Sequence, residues 1–123
     1  MKIHRIYTGK DNESHLEHIE VPMEGSALGA VSKIEGATGV IFRETPADFF
    51  MDYHNAPARQ FVVNMGGSTQ IEVADGTKVI VQDGDIIFAE DIDGHGHISR
   101  GLTGPRHSLF ITMPDSFDIT KWK

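Results

Sequence analysis

Short apolar runs separated by turns dominate the chain from residue 40 to residue 112. Each run is only four to seven residues long, and glycine or proline residues stand between consecutive runs, which favours strands over helices. The clearest turn is Asp75–Gly76, between alternating runs at 69–74 and 77–82, because Asp-Gly suits the positive φ angles of a tight hairpin. The sequence therefore predicts an all-β fold, an antiparallel sandwich or barrel, in one domain spanning residues 1–123.

The two ends of the chain carry weaker signals. Residues 2–7 alternate loosely and predict an edge strand, whereas 15–21 fits either a strand or one turn of helix. The small, glycine-rich stretch at 24–30 is typical of a connector. After the last strand, residues 113–123 are predicted to form a tail with a short turn, anchored by Phe117 and Trp122.

Glycine-containing turns also divide the central part of the chain. Gly66–Gly67 is predicted to end a strand at 59–65 before the next one begins. In the same way, the turn at 101–105 is predicted to separate a strand at 97–100 from the last strand at 107–112. We therefore expect four short strands in these two regions.

The composition argues against several classes of partner. The formal net charge is −7 and the basic residues are scattered, so no nucleic-acid partner is expected. No apolar run approaches the roughly 18 residues of a membrane span, and no signal peptide is evident, so we expect no membrane partner and a cytoplasmic location. There is no cysteine, which excludes thiolate metal sites. An exposed edge strand within residues 1–37 would favour a homodimer.

Two histidine-bearing segments lie at the edges of strand-like runs. They are 52–60, Asp-Tyr-His-Asn-Ala-Pro-Ala-Arg-Gln, and 94–97, Gly-His-Gly-His. Side chains two positions apart in a strand share a face, so His54 turned inward would bring Asp52 and Phe50 with it. The prediction is an apolar interior with a polar cluster near one mouth, made of His54, Gln60, His97 and Asp52.

The spacing of these residues resembles the cupin family of small β-barrels. His54 occupies the first histidine position of the first cupin motif, Ala56 the second, and Gln60 the position of the glutamate. Gly84–Asp85 and Gly94–His97 match the second motif. The stretch His-Asn-Ala-Pro followed by Arg-Gln and an aromatic is similar to a subgroup of small bacterial cupins.

This resemblance covers about residues 38–112, with 1–37 as a strand and interface segment. It implies a double-stranded β-helix, or jelly-roll barrel, and a metal centre at His54, Gln60 and His97. Two imidazoles and an amide oxygen can bind Zn, Ni, Fe or Mn, with low affinity because no carboxylate offsets the charge of the ion. Two alternatives stay open: the histidines are hydrogen-bonded barrel residues, or one of them is a general base oriented by Asp52.

Four residues are candidates for contact with a small-molecule ligand: Asp52, Arg43, Phe50 and Phe88. The phenylalanines are also candidates for the core. Alternation from Gln60 and His97 turns Arg59 and Arg100 outward, whereas the directions of Arg43, His95 and His107 stay open.

Two functions from different classes follow. The first is a module that binds a small polar metabolite in the barrel, with or without a divalent metal. The second is a metal-dependent enzyme, an isomerase, lyase or dioxygenase acting on a small organic acid or sugar-like substrate.

Overall fold

A computed structural model describes all residues, 1–123, and confirms the all-β prediction. The strands are β1 Lys2–Thr8, β2 Ser14–Glu20, β3 Glu24–Ser26, β4 Gly29–Val31, β5 Gly39–Thr45, β6 Phe50–His54, β7 Gln60–Glu72, β8 Lys78–Val81, β9 Ile86–Ala89 and β10 His97–Thr112. A single 3-10 turn, Ile119–Trp122, follows them. The structure contains no helix that is long and apolar enough to cross a membrane.

Eight of the strands form one mixed sheet. Its main path runs β2-β1-β9-β7-β10-β5, with β8 paired to β7 and β6 paired to β10. The pairing of β1 with β9 is parallel, whereas the other pairings in the sheet are antiparallel. The end strands β2 and β5 do not pair with each other, so the path does not close into a barrel.

Strands β7 and β10 are much longer than the sequence predicts, because the turns expected inside them are bends. The first half of β7 pairs with β9 and its second half with β8, while β10 pairs with β6 and then with β5. Gly67 lies at the bend of β7 with a φ of 79°, and a Cβ there would come within 2.8 Å of the Arg106 Cα. Register shifts between Gly101 and Ser108 accommodate the same bend in β10.

The first part of the chain corrects two further predictions. β1 is not an edge strand, because it pairs with β2 on one side and with β9 on the other. The stretch predicted as a connector contains β3, which forms a separate two-stranded hairpin with β4. The ambiguous segment at 15–21 is a strand. The hairpin at Asp75–Gly76 is present, with Glu72 opposite Lys78, but its loop spans residues 73–77 and only Gly76 has a positive φ, 88°.

The core consists of two clusters. One contains Ile6, Val62, Ile71, Val81, Ile87 and Phe110, and the other contains Ile3, Ile19, Phe88, Met113, Phe117 and Ile119. The second cluster shows that the predicted tail is part of the core, since Phe117 and Ile119 are 5% and 0% exposed. Full burial of each such side chain contributes about 1.5–3 kcal/mol.

Candidate functional site

A cavity of about 270 Å³ lies inside the curved sheet, and six of the strands contribute to its wall. Its apolar wall includes Ile6, Val62, Ile71, Ile87 and Phe110. The polar side chains that line it are Arg43, His54, Asn55, Gln60, His97, Ser99 and Arg106. The cavity therefore combines an apolar interior with a cluster of nitrogen-bearing groups and no carboxylate in its lining.

His54 is the last residue of β6 and lies opposite His97 of β10, with 4.4 Å between the ring centroids. Its Nδ1 lies 2.9 Å from the backbone carbonyl oxygen of Asp52. Because a carbonyl only accepts, Nδ1 carries the hydrogen and Nε2 keeps the lone pair in the neutral ring. Burial, assisted by His97, lowers the pKa of His54, so the ring is neutral at neutral pH.

His97 is held by a carboxylate behind it. Its Nδ1 lies 2.6 Å from Oδ2 of Asp91, which also accepts a hydrogen bond of 2.7 Å from the Ser14 hydroxyl. All three side chains are buried, and Asp91 is 0% exposed. Donation from Nδ1 to Asp91 leaves Nε2 of His97 as the nitrogen available for other contacts.

Two arginines line the cavity without an acidic partner. Arg5, Arg59 and Arg100 each pair with a glutamate, whereas Arg43 and Arg106 pair with none. Nε of Arg106 donates to Oδ1 of Asn64 at 2.7 Å. Burial, together with the charge of Arg43, lowers the pKa of Arg106 to about 10.

The position of Arg43 also comes from the sheet. β5 pairs with β10 so that Arg43 lies opposite Ser108, and its guanidinium lies 5.4 Å from the ring centre of Phe110 and 5.5 Å from that of Phe49. Arg43 is exposed, whereas Arg106 is partly buried. One cation therefore lies at the mouth of the cavity and the other farther inside.

Of the residues predicted at the metal centre, the structure brings all three together. His54, Gln60 and His97 line the same cavity, and Gln60 is only 2% exposed. Arg43, predicted as a ligand contact, lines it as well.

Asp52 and Phe50 do not line the cavity, and the cause is a bulge in β6. His54 lies opposite His97 but Met51 lies opposite Ser99, so two residues of β6 match one of β10. The extra residue reverses the alternation and turns Met51 toward the cavity, where a regular strand would turn Asp52. The Asp52 carboxylate instead accepts from the backbone N–H of Tyr53, and the Phe50 ring lies under the Arg100 guanidinium.

Phe88 is a core residue and lies outside the cavity. It is 0% exposed and packs against Phe61 and Phe117, with 4.7 and 5.4 Å between ring centroids. On β9 the cavity side belongs to its neighbours Ile87 and Ala89.

The remaining histidines and arginines lie outside the cavity. Arg59 binds Glu90, and Arg100 lies 3.7 Å from Glu72, in agreement with the outward direction predicted for both. The His95 ring stacks on Tyr53 at 3.8 Å and bonds to Glu13, and exposed His107 lies 3.9 Å from Glu44.

Arg106 is a site residue that is absent from the sequence prediction, and Asp91 has a role there that the sequence does not favour. Arg106 had a signal, because it alternates with Ser108 and Phe110, and the apolar Phe110 indicates which face of β10 is internal. Asp91 stands among other acidic residues, Glu90 and Asp93, whose stretch is predicted as a solvated loop beside the mouth, with a gating or ligating carboxylate as the alternative.

Gly96 gives a test of how the chain positions the two histidines. Its φ is 85°, and a Cβ at this position would collide with the carbonyl group of His54. We expect Gly96→Ala to lower the free energy of unfolding by at least about 1–3 kcal/mol, the usual cost of such backbone strain. Urea denaturation measures the loss. Gly66→Ala is the control, because no atom lies within 4 Å of the Cβ position there, and its stability should match the wild type.

The histidines offer part of the donor set that a metal ion would need. His54 and His97 offer Nε2 atoms whose Nδ1 atoms are already bonded, which is the usual arrangement for metal-binding histidine, and Gln60 offers an amide oxygen. No group of three His, Cys, Asp or Glu residues is placed to hold a metal ion, and two arginines share the cavity. A divalent ion would therefore be held by neutral ligands beside two positive charges, which fits poorly.

No protein-family model matches the sequence, and a search of curated proteins finds no significant relative.

Proposed function

We propose that the protein binds a small organic anion, a carboxylate or phosphate compound, in the cavity between Arg43, Arg106 and the two histidines. The observation that carries the proposal is Arg106, a guanidinium in a desolvated position with no acidic partner. Arg43 adds a second unpaired cation at the mouth of the same cavity.

Arginines without an acidic partner are unusual in a chain with this excess of acidic residues. The whole chain has a formal net charge of −7, and its acids neutralise the other buried or partly buried arginines. A desolvated cation without a partner is unfavourable, and an anion that accepts its hydrogen bonds offsets the cost. Guanidinium groups bind carboxylates and phosphates through two parallel hydrogen bonds, so the ligand would present two oxygens on one centre.

The walls limit the rest of the ligand. A cavity of about 270 Å³ admits a small molecule only, and Val62, Ile71 and Phe110 form an apolar wall for its carbon skeleton. Gln60 and Ser99 can bond one more polar group. A short organic acid matches this combination better than a sugar, which would need more hydrogen-bonding side chains.

We assign the fold to the cupin-like jelly rolls, again as a proposal. Its support is that β7 and β10 each bend and take part in both halves of the curved sheet, as two-layered jelly rolls require. The two segments that resemble cupin motifs also meet in one cavity, through His54 and His97.

A second candidate function is proton transfer on the bound anion. Asp91 bonds to Nδ1 of His97, so in this candidate function Asp91 takes the orienting role predicted for Asp52. Nε2 of His97 would then act as a general base on an acidic C–H or O–H of the ligand, with Arg106 stabilising the negative charge that develops. The metal-dependent version, an isomerase, lyase or dioxygenase, would place a divalent ion on His54, Gln60 and His97.

Isothermal titration calorimetry tests the binding proposal. Short mono- and dicarboxylic acids, inorganic phosphate and phosphate monoesters are titrated into the protein, and each acid is matched with its uncharged primary amide. We expect saturable binding of at least one anion at one site per chain, and no binding of its amide. Equal binding of the acid and the amide, or no heat with any anion, would contradict the proposal.

Elemental analysis distinguishes the anion-binding proposal from the metal-dependent alternative. Protein purified without chelator or histidine tag is compared with the His54→Ala, His97→Ala double variant after exposure to Zn, Ni, Fe and Mn. The anion proposal expects no stoichiometric metal in either protein. Near-stoichiometric metal that disappears in the double variant would instead favour the metal-dependent function.

The pKa of His54 predicts opposite pH effects on stability and on anion binding. Its folded-state pKa lies below the unfolded value of about 6.5, so the unfolded chain takes up the proton first as the pH falls. Stability from this group is therefore lost as the pH falls from about 6.5 through the lowered pKa. Anion affinity should rise over the same window, because protonated His54 adds a positive charge to the cavity. Calorimetry and thermal denaturation across the window measure both. His54→Gln should reduce the rise in affinity and the loss of stability, while His4, whose pKa is also lowered by burial, keeps its share of the stability loss.

A further inference from the structure

The longest exposed stretch of the chain runs from residue 24 to residue 44. Every residue in it is exposed except Glu35, which is partly buried. Six of its exposed side chains are large and apolar: Leu28 at 90%, Val31 at 41%, Ile34 at 98%, Val40 at 54%, Ile41 at 51% and Phe42 at 81%. Six large apolar side chains exposed within 21 consecutive residues are typical of an interaction surface.

Part of the backbone in this stretch also has no neighbouring strand to pair with. β5 pairs with β10 along one edge, and its other edge is an open row of backbone donors and acceptors at the end of the sheet. The β3–β4 hairpin pairs with no other strand, and an isolated two-stranded hairpin is marginally stable in water. Contact with another protein surface would stabilise the hairpin and pair the open edge of β5.

We propose that residues 24–44 form the contact with a second copy of this chain in a two-fold symmetric homodimer. The stretch contains 21 residues, within the roughly 20–30 residues that each partner contributes to a stable interface. It replaces β1 as the predicted dimer contact, because both edges of β1 are already paired inside the chain. The open edge at the other end of the sheet belongs to β2, none of whose large apolar side chains is exposed, whereas β5 exposes Val40, Ile41 and Phe42.

Charge favours a second copy at this place. Residues 24–44 contain three acidic and two basic side chains, whereas the whole chain has a net charge of −7. Two identical acidic molecules repel each other over most of their surfaces and approach with the least repulsion through a nearly neutral, apolar patch.

The geometry of β5 suits a two-fold axis. Two β5 strands placed side by side in antiparallel orientation are related by such an axis perpendicular to the sheet, so each residue keeps its face. Val40 and Phe42 of one copy then share a face with Val40 and Phe42 of the other, as cross-strand apolar pairs. In this proposal Leu28, between β3 and β4, and Ile34, between β4 and β5, extend the contact along the rest of the stretch.

Sedimentation velocity on the full chain tests the proposal. At about 100 µM we expect a species of about 27 kDa, twice the 13.6 kDa of one chain. Phe42→Lys and Ile34→Lys should each shift it toward 13.6 kDa, because lysine at an edge or in an apolar contact opposes association. Ile80→Lys is the matched control. It replaces an apolar residue of β8 that is 45% exposed but outside the surface, and it should leave the dimer intact.

Hydrogen exchange gives an independent readout that does not rely on a variant. Amides of residues 39–45 that point to the open edge should exchange more slowly at high protein concentration than at low, while amides of β7 should not change. A monomer at about 100 µM would overturn the proposal, as would a dimer that both lysine variants leave intact or that Ile80→Lys dissociates equally.

Discussion

Arg106→Gln should weaken binding of the anion by roughly 10- to 150-fold, the equivalent of about 1.5–3 kcal/mol for hydrogen bonds to a charged group. The reason is that Arg106 is the cation inside the cavity whose charge no acid of the protein neutralises. Calorimetric titration with the best-binding acid measures the loss. The free energy of unfolding should change by less than about 1 kcal/mol, because a glutamine amide can still donate to Asn64 and a desolvated charge is removed.

Arg100→Gln is the matched control for this experiment. Arg100 belongs to the same strand, but its side chain is 43% exposed, outside the cavity, and lies 3.7 Å from Glu72. Its removal should leave the affinity for the anion within a factor of about two, since exposed ion pairs and distant screened charges contribute little. If both variants lose affinity equally, the effect comes from the overall charge, and Arg106 is not the anion-binding group.

Asp91→Ala should lower the free energy of unfolding by about 2–4 kcal/mol, because it leaves two buried donors without an acceptor. These are the Ser14 hydroxyl and Nδ1 of His97, both of which bond to Oδ2 of Asp91. Asp91→Asn should lose less stability, because its amide oxygen still accepts from Ser14. Urea denaturation compares the three proteins.

Asp93→Ala provides the control from the same loop. Asp93 is exposed, and the hydrogen bonds at this position use its backbone carbonyl, which the substitution keeps. Its stability should stay within about 0.5 kcal/mol of the wild type. An Asp91→Ala variant as stable as Asp93→Ala would show that the carboxylate does not anchor His97.

The sequence predicts the strands and much of the cavity because both depend on alternation. Gln60 and Val62 are internal on β7, and His97 and Ser99 are internal on β10, as the period of two requires. The predictions for Asp52 and Phe50 are wrong because one extra residue in β6 reverses the alternation of side chains. Such a bulge cannot be recognised from the pattern of apolar residues in the sequence.

Other differences arise because a residue type allows more than one structure. Gly66–Gly67 permits a turn or a bend, and only the pairing of β7 with both β8 and β9 decides for the bend. Phe88 is apolar in either setting, so the sequence favours the core but still allows the cavity wall. Asp91 is one of several acids in its loop, and only the fold brings it beneath His97.

The most direct test of the anion site is NMR observation of the arginine Nε–Hε groups during titration with a short carboxylic acid. We predict that the signals of Arg106 and Arg43 shift in a saturable manner, while those of Arg59 and Arg100, which already pair with glutamates, stay in place. The matched amide should leave all four unchanged. Saturation of the carboxylate without any shift at Arg106, or equal shifts at all four arginines, would contradict an anion-binding cavity.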